Sequence, residues 1–276
     1  MTGQRKVGFV GAGRIGEPMA QRLLSAGHPL RLYARRTEVR DRLSADGAEL
    51  VDRPADLADC DVIVSCLYSD AQLLDVLPDI MRAMDPHTIL LSHTTGRPET
   101  LDQLAEYARE GRAALVDAPF SGTADAVRAG RLAVYLGGEA AHVSVARQVV
   151  GAYADPIIAT GARGTALRVK LLNNLLFAAI TQVTLRGLDA GRALGIDERV
   201  LLDVLAVSSG GSTAARHISA RGGAEPYVAA VEPFLRKDLA AFRDTTAGLG
   251  PEVSELLAIV HNGPMELGTA FEKGVA

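Results

Sequence analysis

Short apolar runs separated by stretches of mixed polarity fill residues 6 to about 160. The runs are β-rich and too short for helices: Val7–Val10, Leu30–Tyr33, Asp61–Cys66, Thr88–Leu91, Ala114–Asp117, Leu132–Leu136 and Ile157–Ile158. Between most of them apolar residues recur at helical spacing, as in Pro18–Ser25, Thr37–Ala45 and Pro98–Glu110. Strands alternating with amphipathic helices predict a parallel, doubly wound sheet. After Gly161 the pattern becomes helical throughout. One long helix is predicted over Thr165–Leu194, and helix restarts at Glu198–Ala206 after Gly195-Ile196-Asp197. Further helices are predicted over Ser212–Arg221, Val228–Leu249 and Pro251–Lys273. The expected architecture is an α/β domain (1–161) followed by an all-α domain (162–276) that begins with the long inter-domain helix. The apolar stretch Leu171–Leu185 is broken by Asn173, Asn174, Thr181, Gln182 and Thr184, which marks a core helix, not a membrane span.

A length of 276 residues with 48% hydrophobic content suits one large or two moderate globular domains. The formal charge of −4 provides no basic field for nucleic acid or an anionic membrane. Cys60 and Cys66 flank a predicted buried strand and read as reduced thiols of a cytoplasmic protein. No signal-peptide core precedes the first strand. Lysine is scarce, with four residues (Lys6, Lys170, Lys237 and Lys273) against twenty-five arginines. Arginine stays charged under ordinary conditions, whereas a buried lysine shifts its pKa and exchanges a proton. A lysine kept inside a constellation therefore points to proton chemistry; Lys6 and Lys273 read as solvent residues.

The first strand runs into Gly11-Ala12-Gly13-Arg14-Ile15-Gly16, and the following helix carries Met19, Ala20, Leu23 and Leu24. In such a loop the first glycine permits a tight turn, and the second lets the backbone approach a pyrophosphate. The third allows close helix–strand packing, and the helix N-terminus offers N–H groups to phosphates. This is a Rossmann-type dinucleotide fingerprint in its expected setting. Where an NAD site places an acid at the end of the second strand, this chain has Arg35-Arg36-Thr37. Cations there favour a 2′-phosphate, hence NADP(H) over NAD(H). The plainer reading of these residues is solvation of the next helix and a cap from Thr37.

Asp117-Ala-Pro-Phe-Ser-Gly-Thr123 follows a strand, and its Ser-Gly turn offers N–H groups and a hydroxyl suited to a small carboxylate. Taken alone, the segment is an ordinary turn. Lys170 and Asn174 lie four residues apart, on one side of the predicted long helix, among apolar neighbours that disfavour the ammonium. When a carbonyl is reduced by hydride, a protonated Lys170 can donate to the developing alkoxide, with the Asn174 amide orienting it. The plainer reading is a solvated helix edge, weakened by the lead-in Gly161-x-x-Gly164. Phe234-Leu-Arg-Lys-Asp-Leu239 holds Lys237, whose default role is a surface pair with Asp238.

These segments resemble the β-hydroxyacid dehydrogenase family, which includes 3-hydroxyisobutyrate dehydrogenases, tartronate semialdehyde reductases and succinic semialdehyde/glyoxylate reductases. Gly8–Ala20 is similar to the family's cofactor loop, Asp117–Gly122 to its substrate loop, Gly164…Lys170-x-x-Asn173-Asn174 to its catalytic helix, and Phe234–Leu239 to its C-terminal signature. The resemblance implies Lys170 as catalytic lysine and Asn174 as its partner. It implies Ser121, Gly122 and Thr123 as substrate contacts, joined by Lys170 and Asn174. The implied cofactor contacts are Gly11, Ala12, Gly13, Arg14 and Ile15 of the loop, with Leu67, Thr95 and Lys237, and these join Arg35, Arg36 and Thr37, read from their position after the second strand. It also implies a homodimer or homotetramer supported by the long helix.

The chain departs from the family at Thr123, Asp125 and Ala126 after the Ser-Gly pair, at Leu67-Tyr68, at His93-Thr94-Thr95 and at Ala166. Thr123 and Asp125 are expected to narrow the carboxylate pocket and bring a negative charge near it. The function this resemblance implies is NADP(H)-dependent interconversion of a small β-hydroxyacid, or related semialdehyde, with its carbonyl form. Two alternatives stand beside it. One is an imine reductase on a similar fold, where Asp or Tyr often replaces this lysine. The other is a non-catalytic NADP-binding oligomerisation module. Phosphogluconate dehydrogenases share the architecture but are longer.

Overall fold

Unbroken apolar runs need cover on both faces, and the first of two compact units, Met1–Lys170, supplies it. The computed structural model describes residues 4–108, 114–247 and 250–267. Its strands are β1 (Val7–Val10), β2 (Leu30–Tyr33), β3 (Glu49–Leu50), β4 (Val62–Ser65), β5 (Ile89–Ser92), β6 (Ala114–Asp117), β7 (Phe120–Ser121), β8 (Leu132–Gly137) and β9 (Ala154–Gly161). The helices of this unit are α1 (Gly16–Ser25), α2 (Thr37–Ala45), α3 (Asp70–Ala83), α4 (Pro98–Ala105), α5 (Ala124–Arg128) and α6 (Ala140–Val150). The long helix α7 (Thr165–Ala193) starts here and continues into the second unit.

All nine strands form one sheet in the order β3-β2-β1-β4-β5-β6-β8-β7, with β9 on β8. The pairs from β3 through β6 are parallel, β8 is antiparallel to β6 and β7, and β9 is parallel to β8. Side-chain alternation divides the core. Val62, Val64, Ile89, Leu91 and Val116 face α1, α2 and α6 through Met19, Leu23, Leu43 and Val149. Ile63, Leu90 and Leu115 face α3 and α4 through Leu73, Leu77, Leu101 and Leu104. This is a Rossmann-type sheet whose order reverses at β1, and such sheets open a crevice beyond the strand ends at that point.

The second unit, Leu171–Ala276, is helical in its described residues. Here α8 (Glu198–Val207), α9 (Thr213–Ala220), α10 (Ala224–Thr245) and α11 (Pro251–His261) accompany the remainder of α7. Leu171, Leu175 and Leu188 of α7 share a core with Leu202, Ile218, Tyr227, Leu239, Phe242 and Val260. No helix among the described residues is long and apolar enough to cross a membrane.

Most differences from expectation have local causes. The helices expected from Pro18 and Val228 start earlier, at Gly16 and Ala224, because proline (Pro18, Pro226) is tolerated in a first turn. β9 spans eight residues rather than two: it is largely exposed and contains Pro156, which masks an edge strand. Two-residue β3 and β7 carry no periodic signal. Helix α11 stops at His261, before Asn262-Gly263-Pro264, instead of continuing to Lys273, which lies outside the described residues. Lys6 is tied to the Asp59 carboxylate at 2.7 Å rather than left to solvent.

Buried Gln182 holds the segment after α11 to α7. Its Nε2 donates to the carbonyls of Val260 and Met265, each at 2.7 Å, and its Oε1 accepts the Met265 N–H at 2.9 Å. Gln182→Met keeps the volume but leaves three buried backbone groups without these bonds. It is expected to cost about 2–4 kcal/mol, read as a lowered urea midpoint.

Candidate functional site

At the C-terminal ends of β1, β2 and β4 lies a cleft of about 320 Å³. The fingerprint loop forms one wall, Tyr33-Ala34-Arg35-Arg36 another, and Cys66, Leu67, Tyr68, Gln72 and Asp75 the third. The three glycines of the loop have separate reasons. Gly11 has φ +95°, and a Cβ there would lie 2.3 Å from the Cys66 carbonyl oxygen. A Cβ on Gly16 would lie 2.2 Å from the Gly11 oxygen, so this glycine admits close packing at the start of α1. A Cβ on Gly13 would meet nothing within 4 Å. Its freedom from a side chain serves the cleft, as close backbone approach to a ligand requires. No side chain caps α1. The cradle therefore fits a dinucleotide pyrophosphate.

Arg35 and Arg36 are exposed on the cleft wall, and Arg36 Nη2 donates to the Ala12 carbonyl at 3.0 Å. The capping reading for Thr37 does not hold: Arg36 occupies the N-cap of α2, no side chain makes the cap bond, and Thr37 is the first helical residue. Arg14 and Leu67 also line the cleft, whereas Ile15 is the N-cap of α1 and Thr95 follows β5 outside the cleft lining.

Lys170 is half-buried, six residues into α7. The start of that helix is held by a residue whose role the sequence reading missed. Asp117, wholly buried at the end of β6, accepts the Gly164 N–H at 2.8 Å and the Leu167 N–H at 3.0 Å. Burial pushes its carboxyl up, and the backbone N–H donors, including that of Ala166, pull it back. The available signal was an acid closing an otherwise apolar strand.

After Asp117 the chain does not make a simple turn. Phe120 and Ser121 form β7 against Val134 and Ala133 of β8, and Gly122 (φ +140°) turns the chain. Thr123 is the N-cap of α5, its side chain accepting from Ala126. The expected negative charge of Asp125 is exposed to solvent and paired with Arg128 at 2.8 Å. Beneath this loop lies buried His93. Its Nδ1 is 2.5 Å from the Ala118 carbonyl and its Nε2 is 2.8 Å from the Tyr153 hydroxyl. A carbonyl only accepts, so Nδ1 carries the proton and Nε2 accepts from Tyr153. Burial pushes the ring down to about 4 and holds the Tyr153 phenol well above its ordinary value.

In the second unit Asn174 is buried, and its amide is fixed at both ends. Nδ2 donates to Asp238 at 2.7 Å and Oδ1 accepts from Asn173 at 3.0 Å. Lys237 lies 3.4 Å from the other Asp238 oxygen. Asp238 has only 13% of its side chain exposed, so the pair is not the plain surface pair expected by default. Among the described residues no group of three or more His, Cys, Asp or Glu could hold a metal ion.

Two family models match the chain. The NAD binding domain of 6-phosphogluconate dehydrogenase covers residues 6–161, and the NAD-binding domain of NADP-dependent 3-hydroxyisobutyrate dehydrogenase covers residues 164–259. Mitochondrial 3-hydroxyisobutyrate dehydrogenase of Bos taurus is 30% identical over 214 residues, 76% of this chain and 64% of its own length. The chain thus spans about 64% of that relative. NAD-dependent L-serine dehydrogenase of Pseudomonas aeruginosa is 30% identical over 76% of this chain and 72% of its own. A Mycobacterium tuberculosis 3-hydroxyisobutyrate dehydrogenase structure with L-serine superposes with a TM-score of 0.80 at 24% identity, covering 94% of this chain and 93% of that one. An imine reductase from Myxococcus stipitatus shares the fold at a TM-score of 0.68 and 19% identity, covering 96% of this chain and 98% of that one. The chain belongs to the β-hydroxyacid dehydrogenase family.

The buried His93 ring sets an acid limit. Below the ordinary histidine value near 6.5 the unfolded chain takes up a proton that folded His93 refuses. Its contribution is full above about 6.5 and declines as pH falls toward the folded value. Between pH 7 and 4.5 the wild type should lose roughly 2–3 kcal/mol more stability than His93→Gln. Urea titrations at both pH values check this; equal losses would reject it.

Proposed function

We propose that the protein is an oxidoreductase that prefers NADP(H) and interconverts a small β-hydroxyacid, or related semialdehyde, with its carbonyl form. The observation that carries the reading is the cleft beyond β1, β2 and β4: Gly13 is open to a ligand, and Arg35 and Arg36 stand where an NAD site would offer an acid. The bound nicotinamide supplies or accepts the hydride. Gly11, Ala12, Gly13, Arg14 and Ile15 present backbone to the pyrophosphate, and Arg35, Arg36 and Thr37 receive the 2′-phosphate. Leu67, Thr95 and Lys237 are the remaining cofactor contacts.

In the reductive direction Lys170 donates a proton to the oxygen that gains charge, and in oxidation it takes the hydroxyl proton. Asn174, fixed by Asn173 and Asp238, presents an oriented amide to the lysine or the substrate. Ser121, Gly122 and Thr123 receive the substrate carboxylate. Its relatives' activities on 3-hydroxyisobutyrate and L-serine support a short hydroxyacid. Half-exposed Leu172, Leu176, Ile180 and Val183 form an apolar stripe on α7 that supports a homodimer or homotetramer.

Lys170→Ala is expected to lower turnover of 3-hydroxyisobutyrate or L-serine by at least about 100-fold while NADP(H) affinity stays near wild type. Retained turnover would remove the lysine from its role, and activity confined to cyclic imines would favour imine reduction. Arg35→Ala with Arg36→Ala should weaken NADPH binding by roughly 10- to 100-fold and leave NADH binding nearly unchanged, by calorimetry. Equal loss for both nucleotides would overturn the NADP preference.

A further inference from the structure

We propose that His93 is a positioning residue for the substrate loop, setting the path of Ala118–Thr123 through its Nδ1 bond to the Ala118 carbonyl and its contact with Phe120. The inference rests on reading Ser121–Thr123 as substrate contacts. The loop is supported from two sides. On one, β7 pairs with β8, and Tyr135 N–H donates to the Pro119 carbonyl at 3.0 Å. On the other, nothing in the strand ladder reaches the Ala118 carbonyl, and the His93 ring does, at 2.5 Å. The ring also meets Phe120 edge-on, with centroids 5.9 Å apart.

The ring itself has little freedom. Its backbone N–H donates to Ser65 at 2.8 Å, continuing the β4–β5 ladder. Its far nitrogen accepts from Tyr153, which is wholly buried and stands edge-on at 5.7 Å. One imidazole thus links the end of β5, the start of the loop and the Tyr153 phenol. Ala118 directly follows Asp117, so the same point fixes the loop on one side and the carboxylate holding α7 on the other. A histidine that only filled the core would need no particular tautomer; this one can hold Ala118 only with its proton on Nδ1.

The test separates the two ring nitrogens. His93→Asn places an amide N–H near Nδ1 and keeps the donor to Ala118; His93→Gln reaches toward Tyr153 and loses it. With 3-hydroxyisobutyrate and L-serine as probes, His93→Gln should raise KM roughly tenfold, the worth of one buried hydrogen bond, with kcat within about threefold. NADP+ affinity should be unchanged, and His93→Asn should restore KM to within about threefold. Tyr153→Phe keeps the ring and should raise KM about threefold. Equal impairment in the Asn and Gln variants, an unchanged KM in His93→Gln, or a KM effect that tracks lost NADP+ affinity would overturn the assignment. Hydrogen exchange at the amides of Ala118 and Phe120–Thr123 reads the same point without turnover. Exchange should quicken in His93→Gln and return to wild type in His93→Asn; equal rates in all three would overturn it. If the wild type turns over neither probe, the hydroxyacid reading fails while exchange still decides the role of His93.

Discussion

A buried carboxylate is costly unless donors surround it, and Asp117 has its donors from the backbone at the start of α7. Separating the end of β6 from that helix would strand a charge inside the protein, so the two ends are locked together. The geometry also demands a glycine: Gly164 has φ +86°, and a Cβ there would press on Pro98 at 3.2 Å. Lys170 follows about one and a half turns into the helix, so its position inherits the precision of this anchor. The helix N-terminus gains a compensating negative charge, which a side chain from α7 itself does not provide.

The cleft at the ends of β1, β2 and β4 obeys a different constraint, the need for empty space. Gly11 and Gly16 are required by protein atoms, and any larger residue would collide with backbone. Gly13 is not required by any protein atom. A residue that packing does not restrict is the clearest mark that the loop is shaped for something outside the chain. The arginines act in the same sense. Arg36 spends one donor on the Ala12 carbonyl, which ties the cationic wall to the glycine loop and aims both at one volume.

Much of this was legible in the chain because the physics involved is local. Val62–Ser65, Ile89–Ser92 and Ala114–Asp117 are buried on both faces and therefore read as unbroken apolar runs. The fingerprint glycines and the Arg35-Arg36 pair likewise depend on neighbours in sequence. What escaped depends on partners far along the chain. Asp117 meets Gly164 and Leu167 across 47 and 50 residues, His93 meets Tyr153 across 60, and Asn174 meets Asp238 across 64. No periodicity encodes such pairs. Polar residues inside apolar segments were the only trace, and that trace says a partner exists without naming it. Of edge strand β9 only Ile157–Ile158 was legible, for the opposite reason: its exposed residues and Pro156 look like loop.

Burial also sorts the ionisable groups by what they can do. His93 is held near 4 and Tyr153 far above neutrality, so neither changes protonation in the range where an enzyme works. The Tyr153 hydroxyl stays a donor to Nε2 and the ring stays a donor from Nδ1 to the Ala118 carbonyl, which is what positioning a loop needs. Asp117 cannot take up a proton without weakening its hold on α7. The planar guanidinium groups of the arginines around the cleft suit phosphate binding. In the proposed reaction Lys170 carries the proton, while Asp117 anchors the start of the helix that bears it.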